Sequence, residues 1–446
     1  MTKDIGGRTK KRGRLCPQPP CRAGQRFWRH DGRPRSFHAP LLTDTTPRHE
    51  LRLYDSATQV DATAWDALLA RQSRPTPFMR HAYLAALEAS GSATAHTGWA
   101  PRYFTLWQGS TLQAACALYL KAHSYGEYVF DWAWADAHER HGLRYYPKAV
   151  VAVPFTPVPG SRLLARGDAS RAALLRALLD WAREAGLSSL HLLFAADDDL
   201  AAARAAGLLA RHQVQFHWHN RHPQSAASFA DFDDFLASLA QDKRKKIRQE
   251  RRRVHDAGVS FRVLRGHEIT AADWDFFYRC YQRTYLEHGN PPYLRRAFFR
   301  LMQEHLPEAW VLFVAERGGR QIASSLIAVN ANPSGVGSEK SLISTAYGRY
   351  WGALERVDCL HFEACYYQPI AWCIAQDVHR FEGGAQGEHK MARALMPVPA
   401  ASAHWLAHPA FARAIDDYLA REDSQLSLYL RELRRRSPFR AADGAA

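Results

Sequence analysis

The stretch WVLFVAERGGRQIASSLIAVN, residues 310–330, reads as two apolar strands around a tight turn. Trp310 to Glu316 and Gln321 to Asn330 are rich in the β-branched and aromatic residues that suit a pleated, half-buried surface. Between them Arg317, Gly318, Gly319 and Arg320 supply the glycine pair that a hairpin turn requires. Upstream, Val259 to Leu264 predicts a strand, and Trp274, Phe277, Tyr278, Tyr281 and Tyr285 recur at helical spacing. Downstream come a Gly/Ser-rich loop at 332–338, a strand near 341–352, a helix from about Phe362 to Gln376 and the glycine cluster FEGGAQGEHK at 381–390. Strand, helix, hairpin, strand, helix and loop make one α+β unit.

The order of elements resembles that of the first half of the chain. Ala64 to Ala70 and His81 to Ser90 predict short amphipathic helices, and Arg102 to Leu120 predicts two strands around Gly109. Ser170 to Ala185 predicts a helix striped by Leu174, Leu175, Leu178, Leu179 and Trp181, ended by Gly186. The strand SLHLLFA at 189–195 and an alanine-rich helix to Gly207 follow, and the unit ends near Gln215 to Trp218. Ser228 and Asp231 then predict a capping box that opens one long helix to Ala257. Its second half carries eight Lys/Arg within 243–253, which surround the helix instead of forming one stripe. Most such runs are solvated faces, and contact with a polyanion is the alternative.

At 446 residues the chain exceeds one ordinary core, and 47% apolar with 23% charged residues places it among globular proteins. The expected division is a disordered basic leader 1–50, one domain 51–220, a second 221–433 and a disordered tail 434–446. Of the net charge of +15, residues 1–48 hold +9 through twelve Lys/Arg against three acids. That leader is rich in Pro and Arg and reads as an upstream start-site artefact, a nucleic-acid arm or, against its prolines, a transit peptide. No stretch reaches 18 uninterrupted apolar residues, so no membrane span is expected. Seven cysteines without CxxC pairs point to a reducing cytoplasm. Cys359, His361 and Cys365 lack the paired spacing of a structural zinc site, and no metal is expected.

Five motifs in order, HSYGEYVFDWAWADA at 123–137, YYPKAVVAVPFTPVPGSRLL at 145–164, YGRYWG at 347–352, LHFEACYY at 360–367 and FEGGAQGEHKMAR at 381–393, resemble one bacterial family. These are the FemAB-like N-acyltransferases, a branch of the GNAT superfamily associated with peptidoglycan biosynthesis or recognition. The resemblance covers about residues 51–432. It implies an α/β (α+β) architecture of two tandem GNAT-like domains, each a mixed sheet flanked by helices. It also implies acyl-CoA or aminoacyl-tRNA as co-substrate, a small-molecule or cell-wall precursor amine as acceptor, and tRNA as a possible partner. The alternative is a non-catalytic module that binds a cell-wall precursor or RNA. One departure bears on this: the family's glycine after Ala-Arg is Ala394 here.

Direct acyl transfer needs a base for the amine, donors for the carbonyl and a proton for the leaving group. Glu388 and His389 beside the glycines, and Glu363 with His361, are the candidate bases; Tyr347 and Tyr350 are the candidate donors. The surface alternatives are a Glu388 to Lys390 pair, a helix-start charge for Glu363 and core tyrosines. By resemblance Glu382, Gly383, Gly384, Gln386, Gly387, Lys390 and Arg393 form a binding loop, and Arg349 and Trp351 join it. In the first half, His123, Tyr125, Glu127, Asp131, Trp132 and Trp134 crowd twelve residues and suit a groove that stacks on a sugar or base. A strand with a half-buried face is the plainer reading of that stretch.

Overall fold

The computed structural model describes residues 49–330, 344–385 and 387–440. Residues 1–48 of the expected leader, the Gly/Ser-rich loop at 332–338 and Gln386 therefore lie outside the described residues, whereas Glu50 already belongs to the first strand. The strands are β1 (Glu50–Tyr54), β2 (Trp99–Gln108), β3 (Thr111–Lys121), β4 (Lys148–Val151), β5 (Leu164–Ala165), β6 (Ser189–Leu192) and β7 (Leu209–His219). In the second half follow β8 (Val259–Arg265), β9 (Trp310–Arg317), β10 (Arg320–Asn330), β11 (Thr345–Ala353), β12 (Arg380–Ala385) and β13 (Met396–Leu406). All join one sheet in the order β1-β2-β3-β4-β6-β13-β7-β12-β11-β10-β9-β8, with β5 beside β3. Helices cover its faces, which is the mixed architecture expected from the sequence.

The hairpin at 310–330 forms as β9 and β10, turned by Gly318 and Gly319 at φ 54° and 74°. The centre of the sheet was not foreseen. Strand β13 leaves the second half to pair with β6 on one side and, over nine positions from Met396↔His217 to His404↔Leu209, with β7 on the other. Strand β7 in turn pairs with β12 of the second half. Each half thus lends one strand to the other. Pro397 and Pro399 hid β13, because proline cannot donate to a ladder. They are accommodated because β6 reaches only residues 403–406, so the proline end of β13 pairs on the β7 side alone.

The long helix expected from Ser228 to Ala257 is two helices, and this corrects the sequence reading. Asp231, not Ser228, caps the first, Phe232–Ala237, by accepting from the Asp234 N–H. Residues 238–240 leave the helix to pair with the chain end: Ala240 N–H donates to Pro438 O at 2.9 Å and Arg440 N–H to Ser238 O at 3.0 Å. Those bonds satisfy the backbone that a helix would have used, and Leu239 is buried beneath them. The basic helix is Gln241–Asp256. Residues 436–440 are thus placed, within the stretch expected to be a disordered tail.

The largest apolar core spans both halves. Helix His81–Ala89 meets helix Arg296–His305 through Tyr83 and Phe298 at 5.2 Å, and Phe78 meets Tyr347 of β11 at 5.3 Å. Two further cores lie under the second half, around Phe216, Tyr367 and Phe381, and under the first, around Leu174, Leu178 and Leu190.

Candidate active site

Strands β11 and β12 are parallel but pair at only three positions, Thr345↔Arg380, Ala346↔Phe381 and Tyr347↔Glu382. Beyond that point both bulge. Arg349 falls between Gly348, opposite Ile327, and Tyr350, opposite Leu326; Gly383 and Gly384 fall between Glu382, opposite His217, and Ala385, opposite Gln215. An extra residue disrupts each ladder locally, and beyond Tyr347 and Glu382 the two strands no longer pair, an opening in the β11–β12 ladder. Glycine is required on β12: Gly384 has φ 73°, and a Cβ on Gly383 would come 2.3 Å from a Leu395 methyl. FEGGAQGEHK is therefore a bulged strand end through Ala385 and, from Glu388, the start of the 3-10 helix Glu388–Arg393, not one loop.

Lys390 closes that bulge. Its Nζ donates to Gly383 O at 2.7 Å, Ala385 O at 2.9 Å and Gly384 O at 3.4 Å, and burial lowers its pKa to about 8. Its donors are occupied by backbone, so it holds the glycine turn and is not free for a phosphate. Ala394 follows in the left-handed conformation at φ 60°, buried among the apolar residues of the second half. A non-glycine residue in that conformation costs about 1 kcal/mol.

On one face of the opening, Glu382 accepts from Arg74 at 2.7 Å and lies 3.2 Å from Arg380 and 3.8 Å from His217. Burial pushes its carboxyl up, but the neighbouring cations outweigh that and hold it below the ordinary value. Burial also drives His217 down to about 4, so at neutral pH the charge that keeps Glu382 ionised comes from the two arginines. Tyr347 is buried against Phe78, Arg349 donates to Phe155 O of the first half, and the Tyr350 ring packs against Phe277, Tyr281 and Phe299.

On the other face the chain enters a helix through Leu360–Phe362, a π-turn Glu363–Tyr367 and Gln368–Ala375. The Ser325 hydroxyl donates to Ala364 O at 2.5 Å, the kind of side-chain intrusion that accompanies such widened turns. The π-turn brings Tyr366 OH within 3.2 Å of His389 Nε2. His361 lies 5.5 Å from the Trp351 ring and 5.7 Å from that of Tyr366. Burial, then Arg393 and Lys390, lower the His389 pKa, so this ring is a neutral acceptor at pH 7. Glu363 is buried and receives Gln368 Nε2 at 2.7 Å and Arg251 Nε at 3.2 Å. Arg393 lies over the Phe362 ring at 3.7 Å and donates to Glu250, which the Tyr367 hydroxyl also contacts. The basic helix supplies Glu250 and Arg251 and, with Arg248, Arg252, His255, Glu363 and Gln368, lines a groove of about 460 Å³.

The structure thus gathers Trp351, His361, Glu363, His389 and Arg393 on one face and Tyr347, Arg349, Tyr350 and Glu382 on the other. It leaves Glu388 apart, bonded to Arg436 at 2.8 Å and Tyr429 at 3.0 Å on the exposed terminal helix. Gly387, at φ 95°, makes room for the His389 ring, which a Cβ would meet at 2.3 Å. Tyr366, Gln368, Arg74 and His217 were not singled out beforehand; Tyr366 stands inside the motif LHFEACYY, and the others carry no local pattern.

The candidates in the first half separate into two layers. His123, Tyr125 and Trp132 form an outer run of rings, at 5.3 and 4.9 Å between neighbours. Trp132 begins a helix, Trp132–Arg140, where a groove or a strand had been expected. Beneath it Lys148, fully buried, donates to Glu127 at 2.8 Å, to Ser124 at 2.8 Å and to Asp131. Tyr145 donates to Asp131 at 2.6 Å, and His191 bonds Ser189 at 2.7 Å and His404 at 2.7 Å. Trp134 caps the two imidazoles, its ring 5.1 Å from that of His404. Among the described residues no cluster of three His, Cys, Asp or Glu could hold a metal ion.

A family model described as FemAB-like, peptidoglycan biosynthesis/recognition, matches residues 56–441. The chain belongs to the FemAB-like family. A search of curated proteins returns no match. Among solved structures the FemAB-like chain is similar to FemX, at 11% identity and TM-score 0.45 over 80% of this chain and 98% of that one. It is also similar to L-PGS from Bacillus licheniformis, at 11% identity and TM-score 0.46 over 80% and 97%. A tandem GNAT protein from the clavulanic acid biosynthesis pathway shares 13% identity at TM-score 0.40 over 81% and 99%.

Proposed function

We propose that this FemAB-like chain is an N-acyltransferase, moving an acyl or aminoacyl group from acyl-CoA or aminoacyl-tRNA to the amine of a cell-wall precursor. The observation that carries the reading is the doubly bulged opening between β11 and β12, edged by a neutral imidazole bonded to a phenol. In this reading the amine nitrogen attacks the donor carbonyl, a C–N bond forms, and the C–S or C–O bond to the carrier breaks. His389 takes the proton from the amine, and Tyr366, kept protonated by burial, returns one to the leaving sulfur or oxygen. His361 and Trp351 would frame the acyl group, and Arg248 and Arg252 in the adjoining groove would meet the donor's phosphates. The division into domains 51–220 and 221–433 is part of the same proposal, with the acceptor between them.

The test is turnover of an acyl-CoA panel and of charged tRNA, read as thiol release or deacylation. His389→Gln and Tyr366→Phe should each cost about 10²–10⁴-fold in kcat, whereas Glu388→Gln should leave it unchanged. The rate should rise with pH through the lowered His389 pKa, below the usual 6.5, and that acidic limb should vanish in His389→Gln. No turnover with any donor would defeat the proposal; if a nucleotide-linked wall precursor still bound, the non-catalytic binding module would take its place.

A further inference from the structure

Arg349 is the extra residue of the β11 bulge, and the bulge aims its side chain at the first half of the chain. One terminal nitrogen donates to Phe155 O at 2.9 Å, to Tyr350 OH at 3.1 Å and to Thr156 Oγ1 at 3.4 Å. Its carbon lies 5.2 Å from the Phe78 ring centre and 4.9 Å from that of Tyr350. Its Nε is buried and bonded to nothing. Among the described residues no carboxylate pairs with it; the ionisable groups around it are the phenols of Tyr350, Tyr83 and Tyr128. Arg349 as a whole keeps partial contact with water, but its Nε is shut off from it, and folded proteins ordinarily pair a charge withdrawn even in part.

The walls around it are strained and aromatic. Tyr128 and Phe155 both adopt left-handed backbone, at φ 60° and 57°, which bulky residues rarely accept. Phe155 stacks on Tyr293 at 4.8 Å, and Tyr293 meets Tyr285 at 5.5 Å. Tyr128, Tyr285 and Tyr293 are partly exposed, and the phenols of Tyr128 and Tyr285 lie close enough to feel the Arg349 charge.

We propose that Arg349, with the phenols of Tyr128 and Tyr285, forms a receptor for an oxyanion, a carboxylate or a phosphate, carried by the acceptor substrate. The unpaired guanidinium supplies the charge, and the phenols supply donors and a flat apolar wall. Assigning the anion to the acceptor rests on the transferase reading; binding of the anion does not.

The experiment follows the melting temperature of the full chain against sodium phosphate and sodium acetate, with ionic strength held constant by chloride. One of the two should raise the melting temperature above the chloride control, and which one does so separates a phosphate from a carboxylate ligand. Arg349→Gln should weaken that binding by at least about tenfold, the loss of one charged hydrogen-bonding partner. If Arg349→Gln does not fold, Arg349→Lys is read instead, and weakened binding supports the receptor because lysine loses the planar fork. No effect of either anion on the wild type, or undiminished binding in the variant that folds, overturns the proposal. Because these measurements involve no donor, their failure is distinguishable from absence of acyl transfer.

Discussion

Lys121 and Glu127 titrate toward each other from opposite ends of the pH scale. Burial lowers Lys121, which lies 3.6 Å over the Trp99 ring, to about 7, and burial raises Glu127 to about 7. Between pH 7 and 10.5 the unfolded chain holds a proton on Lys121 that the folded one has released, so stability rises with pH across that window. Glu127 acts in reverse: its contribution is full below pH 4.5 and is lost as pH climbs to about 7. Lys121→Met should therefore flatten the gain in unfolding free energy between pH 7 and 10, by about 1.4 kcal/mol per pH unit at most. Denaturant titration at the two pH values measures it, and an unchanged slope would refute the assignment. None of this was legible beforehand, since Lys121 precedes the recognisable motif and its burial follows from pairing of β3 with β4. Glu127 and Asp131 stand out from the density of that motif, but their partners Lys148 and His191 come from two other strands.

Elements sit where they do partly because glycine lets them approach. A Cβ on Gly352 of β11 would meet the Cys280 carbonyl oxygen at 1.9 Å, so the helix Ala271–Glu287 crosses β11 in direct backbone contact. A backbone atom cannot swing aside as a side chain does. Gly352→Ala should cost about 3 kcal/mol or more, a loss visible as a large drop in melting temperature, and a drop of a degree or two would show that the crossing is slack. Alternation and helical spacing disclosed this helix, the hairpin and most strands, because each buries one face with a clear period. What stayed hidden were features decided by distant partners. The prolines of β13 disguised a strand, the chain end interrupted the helix after residue 237, and the bulges at Arg349 and Gly383 depend on register with neighbouring strands. The glycines of 383–387 were noticed, yet their purpose, a bulge locked by Lys390, needed the fold to read.

For the whole molecule, the exchange of β7 and β13 makes each half incomplete by itself. A fragment of residues 49–219 would leave the edges of β6 and β7 open where β13 belongs, and open edges invite association with other chains. That fragment should aggregate or stay unfolded alone and should become soluble when co-expressed with residues 220–440. A cooperative melt of the isolated fragment would contradict this.

The same exchange limits how the molecule can move. Enzymes built from two lobes often close over their substrates by swinging about a hinge, a few residues where little else crosses. Here the crossing is a nine-residue antiparallel ladder continuous with strands on both sides, and any swing would have to shear it. Access to the opening beside His389 and to the cation at Arg349 must then be governed by rotation of side chains and displacement of local segments on a rigid frame.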